Sequence, residues 1–205
     1  MSTILDTTTL VLGPEHNGMR MTPEEFDAVT EYDEDYRYEL IKGVVVVNAI
    51  PAEQERDPNE ELGYRLRRYR DDHPQGRSLD ATLTEQYIFL SDSRRRADRV
   101  IWCGLGRTPD PRRDVPNVAA EFVSEGRRSW LRDYVEKRVE YLTAGIEEYW
   151  LFDRFQRILT VYRKTADGWQ EQTVKENETY RPALLPGFEL RPGDLFALAD
   201  RWGPQ

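Results

Sequence analysis

The residues whose types and spacing could do chemistry are two acids, a lysine and a third, more distant acid. Asp98 stands in Arg96-Ala97-Asp98-Arg99, directly before the apolar run Val100-Ile101-Trp102-Cys103. Glu121 interrupts the otherwise apolar Val118-Ala119-Ala120-Glu121-Phe122-Val123. Burying an unpaired carboxylate in such a run costs several kcal/mol, so Glu121 must face the end of a sheet or meet a cation. Lys137 follows in a segment of helical spacing between Tyr134 and Tyr141, beside the aromatic edge of that segment's apolar stripe, from where it can reach inward. Glu39 lies between aromatic and aliphatic neighbours in Tyr38-Glu39-Leu40-Ile41, which makes it a candidate site acid. Oxygen ligands from Asp98 and Glu121 suit a hard divalent cation, Mg²⁺ with Mn²⁺ as a substitute. An ammonium group nearby could hold or help deprotonate an attacking water and offset charge on a phosphorane-like transition state. That chemistry is phosphodiester hydrolysis. Each residue also has a plainer reading: Glu39 as an outward strand carboxylate, Lys137 as a surface lysine paired with Asp133 or Glu140.

Composition narrows the alternatives. The chain has 205 residues, which fits one domain with a small appendage. A single cysteine, Cys103, excludes an internal disulfide and a cysteine zinc cluster, and its apolar surroundings suit buried filler. Two histidines, His16 and His73, sit in turn-like contexts and leave the chemistry to carboxylates, lysine and arginine. No apolar run approaches the roughly 18 residues of a membrane span, and the expectation is a soluble, cytoplasmic protein. The net charge of -9 argues against a general nucleic-acid coat. The charge is uneven: residues 1–61 carry 15 acidic and 4 basic side chains, whereas 94–138 carry 12 basic and 7 acidic. Asp98, Glu121 and Lys137 thus lie in the one basic part of an acidic chain, where Arg96, Arg99 and Arg127 are candidates to contact phosphate.

These residues need elements to position them. Residues 1–20 read as a loose arm, and 21–200 as a single domain. Thr22-Pro23-Glu24-Glu25 is a helix start with a capping box, the helix running to about Thr30. The acidic run from Glu31 to Asp35 reads as a solvated connection. Lys42-Gly43 between two strand-like runs is a hairpin signal. Asp57-Pro58-Asn59-Glu60 has the form of a second helix start, with Leu62, Leu66 and Tyr69 as its apolar stripe, ending near His73-Pro74. Strands are expected over Thr82–Leu90, Val100–Cys103 and Asn117–Ser124, with Ser91 to Arg95 as a turn and Gly104 to Pro116 as a loop. Ser129 would cap a helix whose inner stripe is Leu131, Tyr134, Val135, Val139 and Leu142, ending at Ala144-Gly145. A strand over Glu148–Asp153 completes a crossover unit. A hairpin around Asp167-Gly168 and a short helix near Leu195–Leu198 close the chain. The result is an α/β fold, a mixed sheet between helices with hairpin additions.

In order along the chain, Tyr38-Glu39-Leu40-Ile41-Lys42-Gly43, Arg96-Ala97-Asp98, Glu121-Phe122-Val123-Ser124, Glu136-Lys137-Arg138 with Tyr141, and Gly145 through Asp153 resemble the Uma-type restriction endonuclease family, a branch of the PD-(D/E)XK nuclease superfamily. The resemblance covers roughly residues 22–190. It implies a restriction-endonuclease-like fold and Mg²⁺-dependent cleavage of DNA, with Asp98 as the central metal ligand, Glu121 as the second acid and Glu39 as an additional acid. The superfamily's usual lysine, two residues after the second acid, would fall at Val123. In this branch it comes from the following helix, the place of Lys137. Ala97 stands where the family often has proline, and Ala52 to Glu61 lacks the family's histidine. The alternative is a non-catalytic DNA-binding or protein-interaction module of the same fold. Cutting two strands is simplest with two sites related by a twofold axis, which makes a homodimer plausible.

Overall fold

The computed structural model describes residues 10–203, so part of the expected N-terminal arm lies outside the described residues. By contacts the chain divides into two units, Met1–Ile50 with Leu90–Arg95, and Pro51–Phe89 with Arg96–Gln205.

In the first unit, the chain from Leu10 is ordered rather than loose. Strand β1, Val11–Leu12, pairs in parallel with β2, Glu31–Tyr32, so part of the acidic run expected as a connection is a short strand. Helix α1, Pro23–Asp27, has the expected start: Thr22 Oγ1 accepts from the Glu25 N–H at 3.2 Å, and Glu25 Oε2 accepts from the Thr22 N–H at 2.7 Å. Strands β3, Tyr36–Ile41, and β4, Val44–Ala49, form the expected hairpin. Its turn residues Lys42 and Gly43 have φ of 51° and 74°, the left-handed pair whose twist matches that of the flanking strands.

The second unit is built on a mixed sheet. Helix α2, Glu53–Asp72, leads to β5, Leu79–Phe89. Strand β6, Arg94–Cys103, follows, its first two residues belonging to the first unit. Next come β7, Val118–Phe122, and a helical stretch of three parts: α3, Arg127–Leu131; a π-helical segment, Arg132–Lys137; and α4, Arg138–Ala144. Strands β8, Glu148–Asp153, β9, Ile158–Thr165, and β10, Gly168–Lys175, precede helix α5, Pro192–Asp200. The sheet order is β10-β9-β8-β7-β6, with β5 also on β6. Strands β7 and β8 are parallel, joined by the helical stretch as a crossover. The α/β fold with a mixed sheet and hairpins is therefore as expected.

Alternation along the strands divides the sheet into two faces. Ile101, Val118, Ala120, Phe122, Trp150 and Phe152 join Leu62, Leu66 and Tyr69 of α2 and Leu195 and Phe196 of α5 in one apolar core. The opposite parity carries Asp98 on β6 and Glu121 on β7.

Three local expectations are corrected. Helix α2 begins at Glu53, so Pro58 is inside it rather than in its first turn. Long-range and local bonds hold the extra turn: Gln54 Nε2 donates to the Gly203 carbonyl at 3.0 Å, and Glu55 Oε2 accepts the Ala52 N–H at 3.3 Å. Ser129 lies inside α3, whose N-cap is Gly126 at φ 101°. Arg94 and Arg95 are strand residues, not part of the turn, and both are buried.

Arg99 is the most constrained of the strand arginines. It is fully buried, with Nε donating to Asn59 Oδ1 at 2.7 Å and Nη2 to the Asn59 carbonyl at 2.7 Å. Gly63, one turn along α2, leaves room for that guanidinium: a Cβ there would stand 2.5 Å from Arg99 Nη2. Because Arg99 cannot move without giving up its bonds to Asn59, Gly63→Ala is expected to destabilise the protein by about 1–3 kcal/mol, read from the shift in urea-unfolding midpoint.

Candidate active site

The register of β6 on β7 brings the two acids together. Arg99 faces Ala120 and Val100 faces Ala119, so the next step of the same antiparallel ladder sets Asp98 opposite Glu121. At that point the ladder changes character: the Phe122 N–H donates to Asp98 Oδ2 at 2.7 Å, a side chain taking the place of a backbone acceptor. Phe122 meanwhile still pairs with Phe152 of β8, and the Val123 N–H donates to the Phe152 carbonyl at 3.0 Å. Asp98 and Glu121 thus sit where β6 parts from β7.

Lys137 arrives from the helical stretch. Its Nζ lies 2.8 Å from Glu121 Oε1, donates to the Arg96 carbonyl at 3.0 Å, and is 3.9 Å from Asp133 Oδ1. The cation that Glu121 required is therefore Lys137, and the lysine is buried rather than on the surface. The Tyr141 hydroxyl donates to the same Glu121 oxygen at 3.0 Å, and the Tyr149 hydroxyl donates to the Asp133 carbonyl at 3.0 Å.

The inner stripe of this helix is not the expected one. Asp133, Tyr134, Lys137 and Tyr141 are buried, whereas Leu131, Val135 and Val139 are exposed. In an ordinary α-helix, residues four apart drift around the axis. The wider turn of the π-helical segment brings Asp133 and Lys137 closer to one line. Taking the apolar residues as the inner stripe selects the wrong face, since the inward side chains are an acid, a lysine and two tyrosines.

Electrostatics follow from this packing. Burial, with help from the Glu121 charge, pushes the Asp98 carboxyl well above its ordinary range, Lys137 partly opposing it. Burial pushes Glu121 up to about 7, against the pull of Lys137. Burial thus favours the protonated form of both acids. The donors are carboxylate oxygens, which suits a hard ion. Among the described residues no group of three or more His, Cys, Asp or Glu is placed to hold a metal ion.

Glu39 is buried in the first unit, 3.8 Å from Arg95 Nη1, and its Oε2 accepts from Asn48 Nδ2 at 3.2 Å. Arg99 is corrected as a phosphate ligand, since it is fully buried and spent on Asn59 and Thr82. Arg96 is 3.0 Å from Glu85 and lies over the Tyr87 ring, and Arg127 is exposed at the start of α3. Cys103 is buried, and its thiol is pushed up to about 12, so it is no nucleophile. Sequence reasoning gave no role to Glu85, whose charge also raises Asp98 and whose φ of 54° is unusual for a strand residue. It also gave none to Tyr141, although the spacing Asp133, Lys137, Tyr141 was visible.

The family model described as "Putative restriction endonuclease", Uma2, matches residues 23–193. The chain belongs to this family. Among curated proteins none matches. The chain is similar to a solved structure from Anabaena variabilis ATCC 29413, titled a putative nuclease belonging to DUF820. The TM-score is 0.67 at 16% identity, covering 87% of this chain and 99% of that one. At that identity the likeness speaks for a shared fold, and it agrees with the α/β architecture described above. No helix among the described residues is long and apolar enough to cross a membrane.

The raised pKa of Glu121 has a consequence for stability. Between an unfolded value of 4.5 and a folded value of about 7, the folded chain keeps a proton that the unfolded chain loses. This group's contribution is therefore fully present below pH 4.5 and is lost as pH rises to about 7. Glu121→Gln should flatten the decline in unfolding free energy across that window, measured by urea titration at several pH values.

Proposed function

We propose that this chain is a divalent-metal-dependent DNA endonuclease that hydrolyses phosphodiester bonds. The observation that supports this best is the gathering of two desolvated carboxylates, Asp98 and Glu121, and one buried ammonium, Lys137, at the point where β6 parts from β7. Asp98 and Glu121 would hold Mg²⁺, or Mn²⁺ in its place. Bound there, the ion supplies positive charge that offsets the charge developing on the phosphate and makes a water easier to deprotonate. Lys137 orients the attacking water and stabilises the negative charge of the transition state. Tyr141 and Asp133 hold the pair in place: Tyr141 fixes the Glu121 oxygen that faces the lysine, and Asp133 gives the lysine a second acidic neighbour. Glu39 enters as an additional acid on the family resemblance. Arg127, and Arg96 beside Glu85, are the basic side chains offered to the substrate backbone.

Calorimetry with Mg²⁺ or Mn²⁺ tests the metal site: the wild type should bind and Asp98→Ala should not. Because the ion must displace the proton on Glu121, affinity should rise with pH up to about 7. Nicking of supercoiled plasmid tests the chemistry. Lys137→Ala should lose about 10²–10⁴-fold in rate, and because Glu121 loses its cation the comparison is made on protein whose circular dichroism spectrum matches wild type. Equal cleavage by wild type and Lys137→Ala would remove the lysine from the mechanism. DNA binding without any metal-dependent cleavage would instead favour a non-catalytic module.

A further inference from the structure

The helical stretch that turns Asp133, Lys137 and Tyr141 inward must turn something outward. Two positions on from Asp133 and Lys137, nearly opposite them around the axis, come Val135 and Val139, with Leu131 two before Asp133. Leu131 is 40% exposed, Val135 41% and Val139 54%. Trp130, stacked on Tyr134 at 5.1 Å between ring centroids, is 42% exposed and extends this seam along one edge. A line of large apolar side chains on a helix spanning Arg127–Ala144 is what a helix presents to another helix.

The charges beside the seam say which helix. Along its other edge the residues four apart are Arg128, Arg132, Glu136 and Glu140. Both bases precede both acids. This is the reverse of what the helix dipole favours, since acids belong in the first turn and bases in the last. The first turn of α3 has no acid, and the last turn of α4 has no base. An arginine four residues before a glutamate is also the weaker order for a pair within one helix. The pattern is, however, self-complementary for an antiparallel partner. When the same helix runs the other way across a twofold axis, like edges meet, so the basic half of one edge faces the acidic half of the other. Arg132 already contacts Asp133 at 2.9 Å, and the argument needs only the sign of its charge.

We propose that this face is the interface between two copies of the chain, the helices packed antiparallel about a twofold axis near Val135. Leu131 of each copy meets Val139 of the other, Val135 meets its own counterpart, and Arg128 of each copy lies opposite Glu140 of the other. The inference stands whether or not the catalytic reading holds. It also gives the plausible homodimer a definite surface, and each copy's Lys137 lies on the inner side of the helix whose outer side makes the contact.

Sedimentation velocity on the full chain over a wide concentration range provides the test. The wild type should show a monomer–dimer equilibrium. Val135→Glu, at an exposed position and with an unchanged circular dichroism spectrum, should weaken it by about tenfold or more. Arg128→Glu and Glu140→Arg should each associate more weakly than wild type. Mixing the two variants should restore association, because every cross-copy pair is then of opposite sign. A wild type that is monomeric throughout, a Val135→Glu variant that associates as wild type does, or a mixture no better than its components would each overturn the proposal. Loss of DNA binding by Val135→Glu from a monomeric wild type would assign the face to nucleic acid instead.

Discussion

Everything in the second unit is arranged around a charge that the sheet cannot bury alone. Glu121 lies on a strand whose every residue is buried, on the face opposite the main apolar core. An isolated carboxylate there would be costly enough to oppose folding, so one of three things must happen: protonation, pairing with a cation, or binding a metal. The structure pairs it with a cation. Lys137 stands at 2.8 Å, yet burial still holds Glu121 at about 7. The incomplete compensation leaves a place that a divalent cation would satisfy better than a proton does. A strictly structural ion pair has no need to set a second desolvated acid, Asp98, in register beside the first.

The backbone solves the geometry in two places. On the sheet, β6 departs from β7 one residue beyond the last ladder pair, and the Asp98 side chain takes over the Phe122 N–H. This fixes the carboxylate by a bond that ordinary strand pairing would have used. On the helix, the π-helical segment brings Lys137 under Asp133 and turns both toward the sheet. π-Helical turns are rare and concentrate at functional sites, because the wider turn sacrifices helix regularity for side-chain placement. Leu131, Val135 and Val139 lie in solvent on the opposite side, so the inward chemistry and the outward apolar seam are two faces of one helix.

The polar interior on the α2 face has a different character. Arg99 is buried and bonded to Asn59 and Thr82, with a guanidinium held at about 10 by desolvation, and Gly63 keeps its space open. Such a network fixes α2 against β6. It sits one residue along β6 from Asp98, on the other side of the sheet, so the side chain that anchors the strand and the side chain proposed for catalysis are neighbours in sequence and opposite in direction.

Much of this was legible from local pattern. Apolar runs marked β7 and β8, the Thr22 to Glu25 capping box marked α1, Lys42-Gly43 marked the hairpin, and the lone glutamate in an apolar strand demanded a cation. These signals are local because they depend on side-chain period, on φ preference and on the cost of burying one charge. The tertiary structure alone decided the rest. Sequence could offer Lys137 but not separate an inward lysine from a surface one, since which face of the helix is buried depends on the sheet it packs against, and the apolar face proved to be the outer one. It could not place Arg99, whose burial depends on Asn59 arriving from α2, nor start α2 at Glu53, where Gln54 reaches the Gly203 carbonyl. It named both carboxylates. Their opposition across β6 and β7 is a matter of register, and register is set by how whole strands pack.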